Sequence, residues 1–253
     1  MTQIADEFRD PTPSMAANLG RLQRALNEWL IKEEILGEAR FLTINEWRAR
    51  GAEFLDDALL VLIFDASTLY TMLNFGGDLE EFDDLVESFG FYYSQGHQWN
   101  LGFYPIDGYN YDRIEGSYAR KLTDSRWQMK ARKVKNRAGH VCQDCRRSSP
   151  LDAHHCYYAS MREGYEPWEY PLSAFRALCR DCHVQRERAE IRTRAFAASL
   201  TRDQLDKLRP AFRHAAYWFD MDAVLAFLSK LGPHDDHLEA ALTLLRAGAR
   251  QGK

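Results

Sequence analysis

Apolar positions recur at three- and four-residue intervals between Ser14 and Leu36, at Leu19, Leu22, Leu26, Trp29 and Leu30. That spacing predicts an amphipathic helix burying one stripe, with Gly37 placed to stop it. Thr43 followed by Glu46 carries the signature of a capping box and predicts a short helix. Leu59–Phe64 is a continuous apolar run, read as a buried strand with a helical segment as the other reading. Helical spacing returns at Leu79–Ser88, and the aromatic stretch Phe89–Tyr104 holds two β-prone runs separated by Gly96, as in paired strands. Thr123 and Asp124 are cap-type residues ahead of Ser125–Ala138, where Trp127, Ala131, Val134 and Ala138 share one face and basic residues cover the rest. Further helical patterns occupy 186–198, 201–217, 221–231 and 236–248, bounded by Asp222, Gly232 and Pro233.

The fold class expected from these elements is α+β. Residues 1–115 read as an α+β domain of specificity, regulation or partner binding, 116–195 as a metal-binding unit, and 196–253 as a helical extension. With 45% hydrophobic and 28% charged positions in 253 residues, the composition is that of a globular chain. The longest apolar run, Ala58–Phe64, falls far short of the ~20 residues of a membrane span. No secretory apolar region opens the chain, so the expectation is a cytoplasmic protein with no membrane partner. The net charge of −4 hides an uneven distribution: residues 1–119 hold 8 basic and 21 acidic groups, whereas 120–195 hold 17 and 9. A basic middle beside an acidic half suggests a polyanionic partner, although runs of charge also occur simply as solvated helix faces. The acidic half itself is open to two uses, a protein partner or intramolecular inhibition of the basic segment.

Cysteines sharpen the picture. Cys142-Gln-Asp-Cys145 and Cys179-Arg-Asp-Cys182 are two CxxC pairs with 33 residues between them. In a reducing compartment such knuckles converge on one ion, and two of them complete a four-thiolate structural zinc shell with no open position for substrate. Cys156 is the odd thiol and reads as a small buried core residue. Between the knuckles lie His154 and His155, and His183 directly follows the last cysteine, so three histidines are tethered to one metal-stapled unit.

The combination Trp127, Cys142-x2-Cys145, Leu151-x2-His154-His155, Pro167-Trp168-Glu169 and Leu178-Cys179-x2-Cys182-His183 resembles the HNH endonucleases, in the subgroup whose ββα-metal core is stapled by a four-cysteine zinc. The resemblance covers roughly residues 118–190. It implies a β-hairpin bearing the histidine pair, a helix starting near the second knuckle, and a catalytic Mg²⁺ or Mn²⁺ beside the structural Zn²⁺. By position, His155 matches the general base, His154 the first ligand of the catalytic ion and His183 the closing ligand. Glu187, one helical turn after His183, matches a further ligand or is an exposed helix-face glutamate. The family's middle Asn has no counterpart: it would fall near Ser173 or Ala174, and the chain contains no Asn after Asn136. The implied activity is hydrolysis of DNA phosphodiesters, the alternative a zinc-stapled nucleic-acid-binding module without catalysis. Arg126, Lys130, Arg132, Lys133, Lys135, Arg137, Arg146 and Arg147 are the expected phosphate contacts. Tyr157, Tyr158, Tyr165, Trp168 and Tyr170 stand between base stacking and simple packing. Such cores occur in phage, mobile elements and bacterial defence, and nothing in the chain selects among these settings.

Overall fold

Thr12 accepts a hydrogen bond from the Met15 amide and Pro13 occupies the first turn, so helix α1 (Pro13–Lys32) starts where its orphan amides are met. Its Leu22, Ala25, Leu26, Trp29 and Leu30 are buried, the stripe the spacing predicts. The computed structural model describes residues 11–33, 39–51, 54–65, 67–158 and 164–249; Gly37, the expected stop, lies outside them. The fold is mixed α+β. Strands β1 (Arg40–Thr43), β2 (Leu60–Ile63), β3 (Phe91–Gln95) and β4 (Asn100–Pro105) form an antiparallel sheet in the order β1-β2-β4-β3. β2 is central, with Leu60 and Leu62 in the main core and Val61 in a second cluster with Trp47, which is why its sequence is apolar without alternation. Helix α2 (Ile44–Arg48) opens with the complete Thr43–Glu46 capping box. Helices α3 (Thr68–Phe75) and α4 (Glu80–Ser88) precede the β3–β4 hairpin. Gly90 enters β3 at φ 89°, and a Cβ there would fall 2.4 Å from the Tyr109 ring, so both backbone and space require glycine.

After the short helix α5 (Tyr118–Lys121), α6 (Ser125–Arg137) buries Trp127, Ala131 and Val134. Strands β5 (Leu151–His155) and β6 (Phe175–Cys179) pair antiparallel, from Leu151 opposite Cys179 to His155 opposite Phe175. Helix α7 (Arg180–Ala197) follows β6 directly. The chain divides into two compact units, Met1–Gln185 and Arg186–Lys253. This differs from the boundaries at 115 and 195 drawn from charge and motif. One apolar core takes Leu26 and Trp29 of α1, Phe103 of β4, Trp127 of α6, and Tyr165, Trp168, Tyr170 and Phe175 of the later segment. Charge composition changes near residue 115, but packing does not break there. In the second unit, α8 (Arg202–Trp218), α9 (Met221–Lys230) and α10 (Asp235–Ala247) follow, with Val224 and Ala241 buried and the Asp220 amide donating to the Gly248 carbonyl at 2.8 Å.

The uneven charge is resolved inside the first unit. Acidic α4 faces basic α6: Lys130 pairs with Asp84, both almost fully buried, Lys133 reaches Glu87 at 2.6 Å and Asp84 at 3.2 Å, and Arg137 reaches Glu80 at 3.3 Å. Burial lowers the Lys130 ammonium's affinity for its proton, and Asp84 opposes that. Lys130→Met is expected to destabilise the protein by roughly 3–5 kcal/mol, because it removes the buried partner of the buried Asp84 carboxylate and leaves it the half-exposed Lys133. The double variant Lys130→Met/Asp84→Leu should recover most of that loss. Urea unfolding of the three proteins checks this, and a single variant as stable as the parent would contradict it.

Candidate functional site

Four thiols come together at one end of the β5–β6 hairpin. Cys142, Cys145, Cys179 and Cys182 offer sulfur atoms within 4.8 Å of one another and can hold a metal ion. The first knuckle is shaped by the backbone: the Arg146 amide returns to the Cys142 carbonyl at 2.8 Å, with Arg146 itself at φ 62°. Gln143 docks the knuckle on β6, its amide donating to the Ala177 carbonyl at 3.0 Å and its side-chain oxygen accepting from the Ala177 amide at 2.8 Å. Arg176 adds a bond to Asp144 at 3.0 Å. Arg147 donates to the Cys145 sulfur at 3.4 Å, and this contact pulls the thiol down to about 6, favouring the thiolate a metal needs. Cys156 lies outside the cluster just past β5. It is half-buried, a correction to its reading as a small buried core residue.

The alternation of β5 sorts the histidines. Asp152 and His154 point to one face, Ala153 and His155 to the other. On the first face the His154 and His183 rings lie 4.7 Å apart, and His183 Nδ1 meets an Asp152 carboxylate oxygen at 3.2 Å. A carboxylate on one imidazole nitrogen turns the other toward a metal position and raises its basicity. Asp152 was not among the expected site residues; its signal in the sequence is the two-residue spacing from His154, which puts both on one strand face. Glu187 stands one turn beyond His183 on α7 and is exposed, past the boundary between the two units.

On the opposite face His155 is buried, stacked on Trp127 with centroids 5.1 Å apart and planes 11° from parallel, and 4.4 Å from the Phe175 ring. Its Nε2 lies 2.9 Å from the Pro167 carbonyl oxygen. A carbonyl only accepts, so Nε2 carries the proton and Nδ1 is the basic atom, accepting from the Tyr118 hydroxyl at 3.2 Å. Burial, the dominant cause, pushes the imidazole down to about 4, so His155 is neutral at pH 7. Ser173 does not take over the missing Asn: it accepts from Lys32 at 3.0 Å, and its amide donates to Glu81 at 2.8 Å. The group orienting His155 is the Pro167 carbonyl. That carbonyl sits in a loop anchored by two buried carboxylates, Glu169 on Arg21 at 2.9 Å and Glu166 on Lys121 at 2.7 Å. Neither His154 nor His155 bulges out of register; the strand simply ends at His155, so the two imidazoles flank its last residues from opposite sides.

A depressed imidazole makes stability depend on pH. Between about 4 and the ordinary 6.5, the unfolded chain binds the proton at this position and the folded chain does not. The contribution is therefore complete above 6.5 and is lost as pH falls toward 4, by roughly 3 kcal/mol. Urea midpoints at pH 7.5 and 4.5 should show this slope, and His155→Phe, which keeps the ring stack, should flatten it. An unchanged slope in that variant would place the titrating group elsewhere.

The expected phosphate contacts divide into two groups. Arg126 and Lys130 are buried and spent on the fold: Arg126 lies 4.2 Å above the Trp168 ring and bonds Asp124 at 2.8 Å, and Lys130 holds Asp84 and the Tyr170 carbonyl. Both are corrected to structural roles, because amphipathic spacing does not distinguish a cation facing solvent from one facing an acidic helix. Lys133 and Arg137 are half-exposed in their pairs with α4. Arg132, Arg146 and Arg147 are exposed, and Lys135 is half-buried. Of the aromatics, Tyr165, Trp168 and Tyr170 are core residues, while Tyr157 and Tyr158 are exposed. Against this geometry, comparison with protein-family models, with curated proteins and with solved structures finds no match.

Proposed function

We infer that this chain is a metal-dependent endonuclease of the HNH type that hydrolyses DNA phosphodiester bonds. The observation that carries the reading is the placement of three histidines on one thiol-stapled ββα unit: His154 beside His183 on one side of the β5 end, and an oriented, neutral His155 on the other. In this reading the four cysteines hold zinc. Thiolates at ~2.3 Å from a tetrahedral zinc stand roughly 3.8 Å apart, and the Cys145 and Cys179 sulfurs are separated by 3.8 Å. His154 and His183 hold the catalytic Mg²⁺ or Mn²⁺. When bound, that ion supplies Lewis-acid stabilisation of the charge building on the phosphate and the leaving oxygen.

The chain's own groups do the rest. Pro167 fixes the His155 tautomer so that Nδ1 can take a proton from the attacking water, once Tyr118 has yielded that position. Asp152 holds the His183 ring. Arg132, Lys135, Arg146 and Arg147, in this reading, meet phosphates without regard to sequence. Incubating supercoiled plasmid with Mg²⁺ or Mn²⁺ tests the proposal: nicking or linearisation that disappears in His155→Ala supports it.

One observation favours the alternative, a zinc-stapled nucleic-acid-binding module without catalysis. Both nitrogens of His155 are engaged by protein groups, as in a purely structural histidine. Gel retardation without cutting, unaffected by His155→Ala, selects it.

A further inference from the structure

A cleft of about 220 Å³ opens beside His155, walled by Tyr118, Tyr158, Tyr165, Tyr170 and Pro167, with Lys121 also in its lining. Its rings meet at steep angles: Tyr118 to Tyr158 at 82°, Tyr158 to Tyr170 at 81° and Tyr165 to Tyr170 at 77°. Such a corner offers a ring face to a planar guest and a phenol edge to its rim. Tyr170, 1% exposed, contributes ring surface to this wall. The volume lies below the ~300–1,000 Å³ of sites for larger small molecules, so the cleft suits a single ring system.

The interior of the cleft suits a ring better than a phosphate. Lys121, the cation in its lining, is already bound to the Glu166 carboxylate at 2.7 Å. The rest of the wall is largely aromatic, a set that recognises a flat heterocycle, while the His155 nitrogen that Tyr118 covers stays the position of the attacking water.

We propose that this cleft is a nucleobase pocket, taking one unstacked base of the substrate next to the general base. The inference rests on the endonuclease reading and specifies its substrate class. In an intact duplex the neighbours cover a base's faces and its partner covers its edge, so only a base out of the stack can enter. The preferred substrate is therefore single-stranded DNA or duplex opened at an unpaired nucleotide.

The test uses the full-length protein with Ca²⁺ in place of Mg²⁺, and oligonucleotides carrying 2-aminopurine as a single strand, as an unpaired bulge in a duplex, and in a perfect duplex. The single strand and the bulge should bind at least about tenfold more tightly than the perfect duplex, with a change in 2-aminopurine emission as the base meets the tyrosines. Tyr158→Leu, at an exposed ring, should weaken single-strand binding roughly five- to a hundredfold and leave duplex binding unaltered. Tyr118→Leu is the second stacking variant and should act the same way. Equal affinity for all three DNAs together with unaffected binding in both leucine variants overturns the pocket. If Mg²⁺-dependent cleavage persists in that case, the endonuclease reading survives alone; no binding of any DNA removes both.

Discussion

Cys179→Ser is expected to abolish metal binding by the four-thiol cluster and open the end of the hairpin that the four thiols close. Cys179 is buried at the last position of β6, opposite Leu151, and its sulfur stands 3.8 Å from that of Cys145. A serine hydroxyl is not ionised at neutral pH and cannot replace a thiolate, so the shell loses a ligand and a charge together. Structural zinc contributes ~10–16 kcal/mol of binding free energy in zinc-finger peptides, more than the ordinary net stability of a domain. The opening should nonetheless stay local. Phe175 and Ala177 of the same strand belong to the main core with α1 and the four-stranded sheet, whereas Leu178 and Cys179 sit in a separate small cluster with Cys142. Elemental analysis should show one zinc per chain in the parent and none in the variant. Hydrogen exchange should show lost protection at 142–151 and 178–183 with the α1 core still protected. Cys156→Ala, outside the cluster, should keep both metal and protection. Full zinc content in Cys179→Ser would mean that the ion is held elsewhere.

His155→Ala should lower DNA cleavage by roughly 10²–10⁴, the usual contribution of a positioned general base, while leaving the zinc in place. The reason is the separation of the two ends of β5. On the proposed reading His155 contributes one basic nitrogen to the reaction, and the thiol cluster lies at the other end of the strand, where Leu151 pairs with Cys179. His155→Phe separates chemistry from packing, because it keeps a ring against Trp127 and Phe175 and removes both nitrogens. It should be as inactive as the alanine variant yet better folded. The parent's rate should be flat near neutral pH and fall as pH drops toward about 4, where the imidazole takes up its proton and ceases to be a base. His183→Ala, by contrast, should raise the Mg²⁺ or Mn²⁺ concentration required rather than remove the base. A His155→Ala protein that cuts at the parent's rate would eliminate His155 as the base.

How much of this could be read from the chain depends on whether the signal was local. The apolar stripe of α1, the Thr43–Glu46 cap, the paired strands around Gly96, the basic helix α6 and the C-terminal helices were all legible, because each is a short-range pattern of side chains and caps. Helix α3 and strand β1 were not. β1 is four residues long and exists through its pairing with β2, and α3 is an eight-residue helix with Leu69 as its buried residue. The four cysteines were legible for the same local reason, since CxxC spacing alone brings two thiols together. The three histidines could be nominated but not oriented.

Tertiary structure decided the rest. Only packing shows that the acidic and basic segments meet as α4 against α6, since a one-dimensional charge count cannot tell a solvated cation from one buried on a carboxylate. Only packing shows that residues on either side of 115 share a core, because Tyr165 and Trp168 are distant in sequence from the Leu26 and Trp29 they join. The orientation of His155 is set by the carbonyl of Pro167, a backbone atom that no residue type announces. By itself, then, the sequence determined which elements form and which side chains can bind metal, through short-range periodicity and spacing. The three-dimensional fold determined which of those groups face one another, because burial and hydrogen bonding between distant segments depend on how the elements pack and not on their order along the chain.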